Sequence, residues 1–166
     1  MLSNVNEELN KFAKYVISQS KGNLTRLKKV GGDLHNSLKS NIKVSKNSFE
    51  LSFLMEEYGV FQDKGVSGVK KKYNTKYSYT NKMPPPSKMD KWIVKKGIAP
   101  RDKNGKFISR KSLQFMIARS IFNNGIKPSL FFTKPFEKAF KNIDKDLIKA
   151  FKLDVEQLMS NSINNK

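Results

Sequence analysis

Apolar residues recur at steps of three and four along the first segment of the chain: Leu2, Val5, Leu9, Phe12, Ala13, Val16 and Ile17. That spacing predicts an amphipathic helix over 2–18, ending near Lys21-Gly22, with a further turn or helix around Leu24, Leu27 and Val30. Gly31-Gly32-Asp33 then breaks the chain, and the period changes to two. Ile42 and Val44 alternate with polar residues, Lys46-Asn47 is a turn signal, and Phe49, Leu51, Phe53 and Met55 alternate again. These runs predict an antiparallel hairpin with one buried face, entered through Leu34-His35-Asn36-Ser37-Leu38. Two glycines around aromatic residues in Glu56–Gly65 predict a specific backbone shape.

The second half follows the same logic. Pro84-Pro85-Pro86 is a stiff spacer, and Ser87-Lys88-Met89-Asp90 has the form of a capping box before a short helix through Trp92 to Gly97. Trp92, the single tryptophan, is expected to anchor a core. After a loop over 98–107, a helix starting at Ser109 or Lys111 carries Leu113, Met116, Ile117 and Ile121 on one face and stops at Asn124-Gly125. Pro128 bars an easy restart, Leu130-Phe131-Phe132 is too apolar to be left in water, and Thr133 and Pro135 open another helix. That helix, 134–159, carries Phe136, Phe140, Ile143, Leu147, Phe151, Val155 and Leu158, with 160–166 expected to fray. The predicted class is α+β: an antiparallel sheet packed against a long N-terminal and a long C-terminal helix.

Residues 66–83 fit neither period. Lys70-Lys71-Lys72 is followed by Tyr73, Tyr77 and Tyr79 among Lys, Asn, Ser and Thr. An irregular connection of this size exceeds the roughly 12–15 residues usual inside a domain. The segment, extended to 66–86 by its prolines, is therefore expected to be a basic arm within a single domain of 166 residues, taking one shape only against a partner. Lys interleaved with Tyr suits either a neighbouring subunit or a nucleic-acid strand gripped by charge and stacking.

Charge sharpens this. Lys+Arg 33 against Asp+Glu 14 gives +19, which points to contact with phosphate or an acidic surface. Only four of the 33 are Arg, at 26, 101, 110 and 119, so 29 are Lys; with abundant Asn, this composition equally follows from A/T-rich coding. There is no cysteine, which excludes disulfides and thiolate metal sites, and His35 is the single histidine, expected to be solvated at a strand start. Glu56, Glu57 and Asp63 raise a metal-dependent nuclease reading, set against polar residues at a sheet edge; their spacing matches no nuclease pattern. Asp102-Lys103-Asn104-Gly105 has a trace of a calcium loop without its length or acidic ligands. Met1–Lys21 contains two glutamates and no unbroken apolar run, so it is not read as a signal peptide, and no stretch approaches the 18 apolar residues of a membrane span.

Taken in order, these motifs resemble a known family. Gly32-Asp33-Leu34-His35-Asn36-Ser37-Leu38 is similar to the Gly-x-Leu-x-x-Ser-Ile/Leu lead-in to the first strand of tail-completion (neck) proteins of tailed bacteriophages. Tyr58 through Phe61, Asp63 and Gly65 resembles that family's Tyr-x-x-(Tyr/Phe)-x-(Glu/Asp)-x-Gly segment, and Pro84-Pro85, Trp92-Ile93 and Lys96-Gly97 its next elements. Gly125, Pro128, Phe132 and Pro135-Phe136 resemble its Gly-x-x-Pro-x-x-Phe close. On this resemblance Gly32, Leu34, Ser37, Tyr58, Phe61, Asp63, Gly65, Trp92, Gly125, Pro128, Phe132 and Pro135 are structural positions. It implies an α+β virion protein made in the host cytoplasm and built into the neck or upper tail. There it would form a homo-oligomeric ring, six- or twelve-fold, joining portal or connector to tail proteins, with genomic DNA passing through the lumen. It implies no cofactor, no metal, no catalytic residues and no membrane. The Lys/Tyr insertion after Gly65 and the high charge depart from the family pattern. The alternative is a basic nucleic-acid-binding protein that uses Lys70, Lys71, Lys72, Tyr73, Tyr77 and Tyr79.

Overall fold

The three-and-four pattern at the start of the chain becomes a single helix, α1 (Ser3–Arg26), in a computed structural model that describes residues 2–27, 32–45 and 48–164, and of 162–164 the backbone alone. The remaining elements are α2 (Asp33–Ser37), β1 (Lys39–Val44), β2 (Phe49–Leu54), α3 (Tyr58–Lys64), a 3-10 turn at Pro86–Met89, α4 (Asp90–Lys96), α5 (Arg110–Asn124) and α6 (Thr133–Asn164). The protein is α+β: a two-stranded antiparallel sheet with a long N-terminal and a long C-terminal helix. Length alone suggests one domain; the chain groups into two compact units, Met1–Gly59 with Leu130–Lys166, and Val60–Ser129.

In the first unit α1 and α6 run antiparallel. Phe12 near the middle of α1 meets Phe136 near the start of α6, while Asn4 at the start of α1 meets Asp154 near the end of α6. The stripe read from sequence is the buried one, with Val5, Leu9, Ala13 and Val16 all enclosed. Val5, Leu9 and Ala150 form one cluster, joined by Leu2, Ile42, Leu51 and Leu147. A second cluster joins Leu24, Leu34 and Phe131, flanked by Met55 and Phe132. Each such enclosed aliphatic side chain contributes about 1.5–3 kcal/mol. Asn23 Nδ2 donates to the Phe131 carbonyl at 3.1 Å, which ties the connector to α1.

The antiparallel hairpin forms in the register Ser40↔Phe53, Ile42↔Leu51, Val44↔Phe49, but the face expected to be buried is only half-enclosed at Ile42, Leu51 and Phe53 and exposed at Val44 and Phe49. A hairpin alone is marginal in water. This one is held because Ile42 and Leu51 join the α1–α6 cluster and Phe53 places its ring 5.2 Å from Phe132 and 6.0 Å from Phe136. Phe132, Phe136 and Phe140, four residues apart, stack along α6.

Several local expectations are corrected. Gly22 does not end α1; it lies inside it, because the buried stripe continues through Ser20 and Leu24 and outweighs the roughly 1 kcal/mol that a helical glycine costs. Leu24 and Leu27 therefore belong to α1 and its C-cap, while Val30, Gly31 and the Lys46-Asn47 turn lie outside the described residues. The lead-in at 33–37 is the short helix α2, capped by Gly32, so His35 sits on a helix and not at a strand start. Helix α6 continues through Asn164, beyond Ser160.

In the second unit α5 starts as predicted, with Ser109 Oγ accepting from Ser112 N. Its buried positions are Leu113 and Ala118, while Met116 faces outward. Trp92 is 46% exposed and anchors no core: α4 is two turns long and the position it buries is Ile93. The Ser87–Asp90 capping box does not form, since Pro86 opens a 3-10 turn in which no side chain caps; Asp90 instead accepts from Gln114 Nε2 at 2.7 Å and lies 3.8 Å from Arg110.

The most constrained polar contact is Asp154, 1% exposed. Its carboxylate accepts from the backbone N–H of Asn4 and Val5 at 2.9 and 3.0 Å, from Asn4 Nδ2 at 2.8 Å and from Ser3 Oγ at 3.2 Å. An acidic group from α6 thus caps the first turn of α1, where helix N–H groups lack partners and the dipole favours negative charge. Burial alone pushes the Asp154 carboxyl up; the four hydrogen bonds outweigh it and hold the group below its ordinary value. Asp154→Ala should lower stability by about 1–3 kcal/mol at neutral pH, since buried donors lose their acceptor. A depressed carboxylate stabilises fully above its unfolded pKa, 3.8, and the contribution disappears as pH falls through the lower folded value. Urea unfolding of the two proteins should therefore differ most well above pH 3.8, with the gap narrowing as pH falls from 3.8 through the lower folded value; an equal gap at every pH would show that the carboxylate charge is irrelevant.

Candidate functional site

The Lys/Tyr segment is not a shapeless arm. Ser67 is buried and organises it. Its hydroxyl accepts from Tyr73 N at 2.9 Å and donates to Tyr73 O at 3.1 Å; its own N–H donates to Tyr77 O and its carbonyl accepts from Tyr79 N, both at 2.8 Å. Thr75 Oγ1 donates to the Gly65 carbonyl at 3.0 Å. Residues 66–79, part of the segment expected to take shape only against a partner, are hydrogen-bonded within their own unit, with backbone and small hydroxyls supplying the bonds that aliphatic burial does not.

The same segment closes the end of α5. Val69 N donates to Phe122 O, and Lys70 N and Lys71 N both donate to Asn123 O, at 2.9–3.1 Å. Val66 and Ile126 exchange both backbone bonds. The last carbonyls of a helix lack intrahelical donors, and here the chain carrying Lys70-Lys71-Lys72 supplies them. Three ammonium groups also suit the negative end of the α5 dipole. This join requires two backbones in contact: a Cβ on Gly125 would stand 2.5 Å from Gly68 N, and Gly125 has φ +70°. Gly65, at φ +78°, abuts Pro128 in the same way.

Lys70, Lys71 and Lys72 are exposed, whereas Tyr73, Tyr77 and Tyr79 are half-buried. Tyr77 meets Phe61 edge-on at 4.9 Å, with Lys76 over its ring at 5.1 Å. Tyr79 leans on Phe122 at 6.2 Å, and burial raises the pKa of its hydroxyl. Lys71 lies 5.7 Å from the Tyr73 ring centre. The tyrosines are thus engaged with their own unit, and the lysines are the part that solvent sees.

The family-motif positions fall into two packing joints. In the first unit Leu34 is buried, its N–H donates to Tyr58 Oη at 2.9 Å, and Ser37 Oγ donates to Leu34 O while accepting from Glu56 N. Burial raises the Tyr58 hydroxyl pKa, opposed by the Leu34 bond. Phe132 and Pro135 serve the same unit at the start of α6. In the second unit Phe61, Asp63, Gly65, Gly125 and Pro128 gather around the start of the Lys/Tyr segment, with Ser129 N donating to the carbonyls of Gln62 and Asp63. Trp92 joins neither joint. Asp63 is buried on α3 and not at a sheet edge, while Glu56 and Glu57 are exposed in the other unit. Asp102 Oδ1 accepts from Asn104 N and Lys106 N, closing its own turn. Among the described residues no three His, Cys, Asp or Glu side chains form a group that could hold a metal, and no helix is long and apolar enough to cross a membrane.

A third feature escaped sequence reasoning. In the first unit, Leu2, Phe49, Leu147, Phe151, Val155 and Leu158 line an open apolar groove of about 610 Å³, with Ile148 at its rim 69% exposed. The apolar stripe of α6 is wider than its contact with α1, and only the packed structure shows which part is left over.

No protein-family model, curated protein or solved structure matches this chain.

Ser67→Ala removes two bonds to Tyr73 and leaves the backbone bonds to Tyr77 and Tyr79. Amide exchange should accelerate at Tyr73 with Tyr79 still protected, at a cost of about 1–3 kcal/mol in local stability. Fast exchange at Tyr79 in the unaltered protein would contradict the arrangement described.

Proposed function

We propose that this protein is a ring-forming structural component of a phage neck or upper tail, set between portal or connector and tail. The observation that carries the proposal is the agreement between motif and structure. Ten of the twelve positions singled out by the resemblance lie at the joints that shape the two units, in a fold of the class the family has. The open groove adds support of a different kind. Phe151, 52% exposed, and Ile148 lie on a well-formed helix whose burial would favour assembly, as repeated subunits in a ring require.

Native mass measurement of the purified protein, alone and with particle extracts, tests this reading. The expected species is a closed homo-oligomer of six or twelve copies, found in virions. Phe151→Asp should dissociate it into monomers with unchanged helicity, because the side chain is half in water already. A protein that is monomeric under every condition and absent from particles would end the proposal.

A further inference from the structure

The positive charge is divided unevenly between the two units. Residues 60–129 contain 17 basic side chains, 14 Lys and three Arg, against three aspartates and no glutamate, a net of +14. The rest of the chain, 96 residues, contains 16 basic and 11 acidic side chains, a net of +5. A coding bias toward Lys acts on the whole chain and does not remove acids from one compact unit alone.

The structure deepens the asymmetry. All 17 basic side chains of this unit are exposed. Its three acids are engaged locally: Asp63 is buried, Asp90 is held by Gln114 beside Arg110, and Asp102 accepts two N–H groups of its own turn. Asp102 is exposed and Asp90 keeps 41% of its side chain in solvent, so 17 exposed basic groups face two accessible acids and the unit's surface is strongly cationic. Lys70 and Lys71 donate backbone N–H groups to the end of α5, with Lys72 next in the chain, so the backbone that carries this charge is held by the unit itself.

We infer that the unit spanning residues 60–129 binds the phosphate backbone of duplex DNA without reading its sequence. Lysine acts as a point charge on phosphate, whereas base readout favours the bidentate guanidinium, and Lys outnumbers Arg here by 14 to three. Stacking of unpaired bases needs free aromatic faces. Tyr77 and Tyr79 are packed against Phe61 and Phe122, and Tyr73 and Tyr77 lie under lysines, so the geometry favours a duplex over a single strand. An acidic protein surface is the competing ligand; its charges are sparser than the regular phosphates to which a dense set of point cations is suited. The inference goes beyond the ring proposal and does not depend on it.

The experiment is fluorescence anisotropy of a labelled 20-base-pair duplex titrated with the full chain at several salt concentrations. Binding should be about micromolar at low salt and fall steeply as salt rises, by about 0.9 log units per log unit for each phosphate contacted. Two variants separate this site from net charge. Lys70/Lys71/Lys72→Gln and Lys138/Lys141/Lys145→Gln each remove three exposed lysines, the first from this unit and the second from α6. The first should reduce the salt slope by about two to three and weaken low-salt binding by about tenfold or more, while the second leaves both nearly unchanged. Circular dichroism checks that both stay folded. Equal weakening by the two triples would reduce the effect to net charge and overturn the inference. Tighter binding of a 40-nucleotide single strand, equal binding of poly-glutamate, or no binding at low salt would each overturn it too.

Discussion

A carboxylate sealed inside a small protein must find enough hydrogen bonds to replace water, or its charge is untenable. Asp154 finds them at one place only, the first turn of α1, where unpaired N–H groups of Asn4 and Val5 point at it. That requirement fixes the register of the antiparallel pair. Sliding α6 by one turn would leave Asp154 buried without donors and α1 without its cap. In the allowed register Ala150 reaches Val5 and Leu9, and Phe136 reaches Phe12, so a polar constraint decides which apolar side chains meet. The hairpin then has a surface on which to lay Ile42, Leu51 and Phe53.

The second unit solves a related problem with less apolar material. Its irregular segment offers few aliphatic side chains, and its order comes from backbone groups that would otherwise lack partners. The end of α5 presents carbonyls; residues 69–71 present N–H groups; Gly68 and Gly125 allow the two backbones to touch. Ser67 does for the tyrosines what the α5 terminus does for the lysines. A segment rich in like charges is thereby held in one shape at a helix end whose dipole favours cations.

The two units consequently differ in surface chemistry. One leaves an apolar groove beside α6 and carries mixed charge; the other exposes all 17 of its basic side chains against three acids, one of them buried. An apolar face suits contact between protein subunits, and a cationic face suits a polyanion. A protein ringing the path of a genome has use for both, which is how the assembly proposal and the DNA inference fit in one chain while resting on separate observations.

The sequence by itself determined the elements whose signal is local. Period marked α1, α6 and the hairpin, because an enclosed stripe imposes its own spacing; Ser109 and Gly125 marked the ends of α5, whose buried positions are Leu113 and Ala118, because caps and left-handed turns depend on a few adjacent residues. The Lys/Tyr segment was visible as a candidate site by composition alone. What the sequence could not decide were quantities that depend on partners distant along the chain. Trp92 looked like an anchor and faces water, since a two-turn helix buries one position and that position is Ile93. Asp154 looked like one more charge on α6, and its role as the cap of α1 rests on a contact across 150 residues. Residues 66–79 looked shapeless because, beside the Ser67 and Thr75 hydroxyls, the bonds that order them are made by backbone groups, which every residue except proline carries in full and whose pairing leaves no mark in side-chain identity. Only the tertiary structure, by bringing the donors of one segment to the acceptors of another, settled where those bonds go.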